Sequence, residues 1–185
     1  YDIDLMMIEL KRNEGLPFSG ELFQHIRVNR SAVEHRAGTF SRRRSVKKSH
    51  QAAWLLKAIS CIDLTTLSGD DTPAKVSRLC AKACHPLRQD LQQALGIAEF
   101  NLQAGAVCVY HNMIPHAVKA LISSDVPVAA VSTGFPAGQI PRRLKIAQVR
   151  DAVKLGATEI DIVISREAVL TGNWRGLYEE VVAFR

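Results

Sequence analysis

Residues 156–164 have the sequence Gly156-Ala157-Thr158-Glu159-Ile160-Asp161-Ile162-Val163-Ile164, in which one helix ends and one strand begins. The glycine is typical of the left-handed residue that closes a helix. The β-branched residues after it predict a strand over residues 159–165. The run is apolar rather than alternating, as in a parallel sheet covered by helices on both faces. Asp161 is the acid inside this run, and its side chain should point away from those of Ile160 and Ile162.

The same succession of a short apolar strand and an amphipathic helix occurs three more times. Strands are predicted over residues 60–64, 106–110 and 126–133, each followed by a helix, and another helix is predicted from about Arg43 to Lys57. Repeated units of this kind predict an α/β fold with a parallel sheet, either an open doubly wound sheet or a closed (β/α)8 barrel. The turn after the first strand contains only Gly69, which disfavours the glycine-rich nucleotide-binding sheet.

Composition indicates one globular domain. The chain has 185 residues, 47% of them apolar, and no apolar run approaches the roughly 20 residues of a membrane helix. Its first residues lack the pattern of a signal peptide, and two of its four cysteines lie in apolar runs, so we expect a cytoplasmic location. Cys80, Cys84 and His85 could suggest a metal site, but they fit the apolar face of a helix better, and we expect no metal and no cofactor.

The net charge of +6 is concentrated near the N-terminus. Arg42, Arg43 and Arg44, with Lys47 and Lys48, form the densest basic cluster. A nucleic-acid surface is one interpretation. No aromatic residues are interleaved with this cluster, so a solvated helix start is the preferred interpretation, and nucleic acid is not the expected partner.

Ligands of both candidate architectures bind at the carboxyl ends of the strands. The predicted strand ends carry Asp63, Thr65, Cys108 and Asp161. A carboxylate buried in an apolar strand is costly unless it is paired, so the two acids should have cationic partners or share a proton. A purely structural ion pair stays an alternative for both, and no lysine is predicted at a strand end.

Several motifs in order resemble the deoxyribose-phosphate aldolases. The resemblance covers roughly residues 22–185 and is closest to the animal-type members. Its motifs are Gln51 to Lys57, Cys61-Ile62-Asp63-Leu64-Thr65-Thr66-Leu67 with Asp70-Asp71-Thr72, Ala106 to Tyr110, Gly134-Phe135-Pro136-Ala137-Gly138 and Gly156 to Ile164. The sequence departs from the family at His111, where proline is usual, and at Ser165, where asparagine is common.

The resemblance implies a metal-free class I aldolase on a (β/α)8 barrel. Such enzymes cleave 2-deoxyribose 5-phosphate to glyceraldehyde 3-phosphate and acetaldehyde through a lysine Schiff base on the sixth strand, tuned by a second lysine on the seventh. It implies that Asp161 is the proton donor and acceptor, and that Asp63, Thr65 and Cys108 bind substrate or support the site. A small phosphorylated sugar and further copies of the chain are the implied partners.

We expect an irregular basic arm over residues 1–42, with one short helix near Ser31 to Arg36, and the first four β/α units of the barrel over residues 43–185. The Schiff-base lysine is not expected in this chain, so the fragment alone should be inactive. The alternative is a non-catalytic aldolase-like binding protein whose basic arm contacts nucleic acid or protein.

Overall fold

A four-stranded parallel sheet forms the centre of the molecule. The computed structural model describes residues 15–43 and 46–185. Its strands are β1 (Asp63–Thr65), β2 (Ala106–Val109), β3 (Val128–Val131) and β4 (Glu159–Asp161). They pair in sequence order, β1-β2-β3-β4, and every pairing is parallel. The predicted repeat of β/α units is therefore confirmed.

Helices precede, connect and follow these strands. Two of them lie in the described part of the N-terminal arm, α1 (Glu21–Gln24) and α2 (Arg30–Gly38), and the second includes the predicted helix. The others are α3 (Lys48–Ile59), α4 (Pro73–Cys84), α5 (Gln89–Ala94), α6 (Ile114–Ala120), α7 (Arg142–Lys154), α8 (Arg166–Leu170) and α9 (Trp174–Phe184). Short 3-10 turns lie at Phe40–Arg42, Ala98–Phe100 and His111–Met113. Among the described helices, none has the length and apolar character needed to cross a membrane.

The first strand begins later than predicted. Ser60, Cys61 and Ile62 donate backbone hydrogen bonds to the carbonyls of Leu56, Ala58 and Ile59. These bonds continue the last turns of α3, so the extended segment begins only at Asp63. The predicted start of α3 near Arg43 was also wrong, because Lys47 has an extended backbone and the helix begins at Lys48.

Two helix ends follow directly from local sequence. The Thr72 side chain accepts a hydrogen bond from the Lys75 amide, and Pro73 is the first residue of α4, as predicted. Gly156 follows the end of α7 with φ +103°, and a Cβ there would lie 3.0 Å from Cγ2 of Val118. The glycine therefore provides both the positive φ and the space that this connection requires.

The two faces of the sheet have different surroundings. One face packs on helices, and its core includes Val107, Val109, Val128 and Ala130 from the strands with Val76, Cys80, Ile114, Ala117 and Ala152 from the helices. The opposite face carries a smaller cluster of Ala106, Cys108, Ala129 and Val131. The small and polar residues of β1 and β4 flank this second cluster, which makes it the face that can hold a ligand.

The segment that precedes α2 lies on the last helix. The Phe18 ring is 5.6 Å from that of Tyr178, and the Phe23 ring stacks on Trp174 at 5.8 Å. The Tyr178 hydroxyl donates to the Leu16 carbonyl at 2.7 Å. Residues 16–23 are thus attached to α9, whereas α2 buries none of its side chains.

Candidate active site

The strand register aligns the predicted site residues on one face. Thr65 pairs with Cys108, Cys108 with Ala129, and Ala129 with Glu159. Paired residues of neighbouring parallel strands point to the same side of a sheet. Asp161 pairs with Val131 and lies on this side too, one pleat above Glu159.

Asp161 forms a hydrogen bond with Cys108, which lies at the centre of this face. The Cys108 thiol donates a hydrogen bond to Oδ2 of Asp161 at 3.2 Å. Cys108 is 1% exposed, and its burial, followed by the bond to Asp161 and the negative charges of Asp161 and Asp63, raises the pKa of the thiol to about 12. Cys108 is therefore a protonated donor that orients Asp161 at neutral pH.

Asp63 lies lower on the same face than expected. It is the first residue of β1, pairs with Ala106 and is two residues before Thr65. The predicted position of Asp63 at the carboxyl end of the strand was wrong, because the strand begins three residues later than predicted. Asp63 is therefore at the lower end of the face, where the strands begin, and Asp161 is at the upper end, where the strands finish.

Both predicted acids are exposed rather than buried in an apolar strand. Within the described ranges, no ion pair involves Asp63, Glu159 or Asp161. The local ion pair considered as an alternative for Asp63 and Asp161 is thus not formed. The face is acidic and open, which suits a cationic or proton-exchanging group.

The structure adds Glu159, which is not among the predicted site residues. Partial burial and the negative charges of Asp63 and Asp161 raise the pKa of its carboxyl group. Its position two residues before Asp161 is the signal that could have identified it, because alternate residues of a strand share a face.

A buried ion pair lies beside the end of β4. Lys145 of α7 is 1% exposed, and its Nζ lies 2.7 Å from Oε1 of Glu180 and 2.8 Å from Oγ of Ser165. The Ser165 amide donates to Oε2 of Glu180 at 2.8 Å. Ser165 therefore joins α7, α9 and the segment after Asp161.

We expect the ion pair of Lys145 and Glu180 to make the free energy of unfolding depend on pH in the acidic range. Burial alone would raise the pKa of Glu180, but the hydrogen bonds from Lys145 and Ser165 outweigh it and lower the pKa below the usual 4.5. The contribution of Glu180 to the free energy of unfolding is fully present above the pKa that its carboxyl group has in the unfolded chain. It is lost as the pH falls through the lower pKa of that group in the folded chain. Urea unfolding between about pH 7 and pH 3 should show this loss. A Lys145→Met/Glu180→Leu variant should lose less stability over the same range, and equal losses would contradict the expectation.

The loops above β1 and β2 form a polar cleft. Ser68, Gly69, Asp71, Tyr110, His111 and Asn112 are among the residues that line its volume of about 370 Å³. Asp71 accepts from the Thr66 hydroxyl at 2.7 Å and pairs with Lys75 at 2.7 Å. The hydrogen bond from Lys75 lowers the pKa of Asp71, so this carboxylate stays charged and holds the loop. His111 forms a hydrogen bond with the Gln148 carbonyl at 3.0 Å, which ties the cleft to α7.

Cys80 and Cys84, two of the three residues considered for a metal site, make packing and hydrogen-bond contacts within the protein. Cys80 is 1% exposed in the core, and burial raises the pKa of its thiol to about 11. The Cys84 thiol contacts the Ser124 hydroxyl at 3.3 Å. In the part of the chain that the structure describes, no three His, Cys, Asp or Glu residues are arranged to hold a metal ion.

Comparison with known sequences points to one family. The model of the DeoC/LacD family aldolases matches residues 57–185. The chain is similar to deoxyribose-phosphate aldolases from Bos taurus (52% identity, 86% of this chain and 51% of the relative) and Mus musculus (54%, 86% and 51%). It is 49% identical to the Homo sapiens enzyme over 94% of this chain and 55% of that relative. The chain spans about half the length of the curated relatives it matches.

Solved structures share the fold. A candidate deoxyribose-phosphate aldolase from Coccidioides immitis superposes with a TM-score of 0.57 at 25% identity, over 70% of this chain and 45% of that one. A protein described as QR15, an aldolase, superposes with a TM-score of 0.53 at 23% identity, over 68% and 48% of the two chains. The four β/α units thus correspond to slightly less than half of each of these folds.

Proposed function

Because the chain belongs to the DeoC/LacD family of aldolases, we propose that it supplies the acidic half of a deoxyribose-phosphate aldolase active site. The whole site cleaves 2-deoxyribose 5-phosphate to glyceraldehyde 3-phosphate and acetaldehyde. The observation that carries this proposal is the position of Asp161. Its carboxylate lies at the carboxyl end of β4 and accepts a hydrogen bond from Cys108.

In this proposal Asp161 moves the proton of the reaction. A lysine from outside this chain forms the Schiff base with the substrate, and cleavage requires proton transfer at the substrate hydroxyl and at the carbon next to the imine. A carboxylate that is oriented but solvent-accessible can give and take these protons, directly or through a water molecule. Cys108 supports this role because its protonated thiol orients one carboxylate oxygen and leaves the other available.

Asp63 and Thr65 have supporting roles in this proposal. Asp63 contributes negative charge below Asp161, and together with Glu159 it makes the face attractive to the protonated amine of an incoming lysine. The Thr65 hydroxyl donates to the Asp63 carbonyl at 3.0 Å and keeps its own oxygen available to accept a bond from a ligand.

A chimera tests the function. In this chimera, residues 22–185 replace the matching region of the Bos taurus relative, and the rest of the chimera is the bovine sequence. The chimera should cleave 2-deoxyribose 5-phosphate, and borohydride should trap a substrate adduct on a lysine of the bovine part. The unfused chain should give no such adduct. A folded chimera without activity, or a stoichiometric substrate-dependent adduct on a lysine of this chain, would overturn the proposal.

Four further assignments belong to the same proposal. We place the boundary between a basic arm and the aldolase unit at residues 42 and 43, in line with the end of the 3-10 turn at Arg42 and the extended backbone of Arg43. Residues 1–14 and 44–45 lie outside the described residues. We also propose a phosphorylated sugar as substrate, self-association through the aldolase unit and a cytoplasmic location. The location is supported by the four cysteines, which are all free thiols.

A further inference from the structure

The β3–β4 ladder ends where the chain after β3 turns away. Thr133 and Gly134 have φ values of +56° and +82°, in the left-handed region. The Ser132 carbonyl accepts from the Phe135 amide at 3.2 Å, and the Gly134 amide donates to Oε1 of Gln148 at 2.8 Å. These are the two backbone groups that a regular parallel ladder would offer to Val163, so β3 has no backbone partner for that residue.

The Thr133 hydroxyl takes the place of both missing partners. Its Oγ1 accepts a hydrogen bond from the Val163 amide at 2.5 Å and donates one to the Val163 carbonyl at 3.1 Å. Thr133 is 0% exposed, so water cannot replace it at this position. One side chain therefore extends the ladder by one residue beyond the last backbone pair.

The backbone conformation of Thr133 is unfavourable for its residue type. A β-branched residue with a left-handed φ is an outlier that persists only where surrounding interactions determine it. Gly138, at φ +70°, lets the chain fold back closely, since a Cβ there would lie 2.9 Å from Cγ1 of Val163. Val163 is thus held through its backbone by Thr133 and approached closely by Gly138.

We propose that Thr133 is a positioning residue for Asp161. The Ser132 amide donates to the Asp161 carbonyl at 2.9 Å, and Thr133 holds the backbone two residues later. The two attachments bracket the end of β4 and fix the direction in which the Asp161 side chain leaves the strand. The inference rests on the proposed function, because Asp161 is there the residue that moves the proton.

The thiol of Cys108 reports the position of Asp161 without any need for activity. Its pKa is raised in part by the hydrogen bond to Asp161, so displacement of that carboxylate should lower the pKa and expose more thiolate at a given pH. The rate of iodoacetamide alkylation at Cys108 is measured by peptide mass spectrometry between about pH 7 and pH 11, relative to a thiol of equal burial, because the thiolate is the reacting form. Cys80, which is also 1% exposed, serves as the internal reference for access of the reagent to a buried thiol, and the exposed Cys61 serves as the reference for intrinsic reactivity.

Thr133→Val keeps the shape of the side chain and removes the hydroxyl, whereas Thr133→Ser keeps the hydroxyl. We expect Thr133→Val to raise the alkylation rate of Cys108 about tenfold, toward that of Asp161→Asn. Thr133→Ser should match the unaltered chain. Thr158→Val, which removes a long 3.5 Å hydroxyl contact at the other end of β4, should also match it. A folded Thr133→Val variant with an unchanged Cys108 profile overturns the proposal.

If Thr133→Val does not fold, hydrogen exchange at the Val163 amide tests the proposal instead. In the unaltered chain and in Thr133→Ser, the Val163 amide should exchange slowly, because a buried hydroxyl holds it. Exchange at the rate of an unprotected amide would overturn the proposal. Because neither measurement uses catalysis, a failure here is distinguishable from a failure of the chimera.

Discussion

Replacing Lys145 with methionine is expected to lower the free energy of unfolding by about 3–5 kcal/mol, because it leaves the Glu180 carboxylate buried without its cation. Lys145 and Glu180 are 1% and 6% exposed, so solvent cannot compensate for the loss. The hydrogen bonds from Ser165 remain, but they do not neutralise the charge. Urea denaturation at pH 7 measures the change.

Two control variants separate this effect from a general loss of charge. Arg30→Met breaks an ion pair with Glu34 that is exposed at both ends, with side chains 89% and 62% accessible, and should change the unfolding free energy by less than about 0.5 kcal/mol. Lys145→Met/Glu180→Leu removes both charges and should recover most of the loss, because no unpaired charge stays buried. A single Lys145→Met variant as stable as the unaltered chain would show that the pair is not buried in solution.

Replacing Asp161 with asparagine in the chimera is expected to lower kcat by about 10²- to 10⁴-fold, the usual contribution of a general acid or base. Asparagine has almost the same shape and can still accept the Cys108 hydrogen bond, so the fold and the local contacts should persist. The amide cannot take up the proton of the reaction. Steady-state kinetics of 2-deoxyribose 5-phosphate cleavage measure the loss, which should appear in kcat rather than in KM.

Asp151→Asn is the matched control for this substitution. Asp151 lies on α7 and is exposed, and this helix packs through Ala152 into the core on the opposite face of the sheet from Asp161. The control variant should retain the activity of the chimera. If Asp161→Asn retained it as well, the proton would have to be moved by another group, and Glu159 on the same strand would be the first to examine.

Much of the fold was predictable because its signals are local. The periodicity of Val76, Cys80 and Ala83 identifies the buried face of α4, and Thr72 with Pro73 identifies its start. Strand boundaries were less accurate, as the shift of β1 shows. Ser60 to Ile62 have strand-like composition, but their amides bond to carbonyls of the preceding helix, and composition does not reveal this competition.

The candidate site was predictable in part for the same reason. Asp161 and Cys108 stand out as a polar group and a thiol at strand ends, and their hydrogen bond spans 53 positions of the sequence. The role of Thr133 was not predictable, since it depends on two backbone groups of the neighbouring turn that are engaged elsewhere. The burial of Lys145 was missed because its partner Glu180 lies 35 residues further along the chain.

By itself, the sequence determined the succession of strands and helices, the caps at Thr72 and Gly156, and Asp161 as the acid at the carboxyl end of β4. These depend on residues within one turn or one strand of each other. Only the tertiary structure decided that Asp63 lies below Asp161, that Glu159 shares their face, and that Lys145 is buried against Glu180. Register and burial arise when distant segments pack together, and no local pattern contains that information.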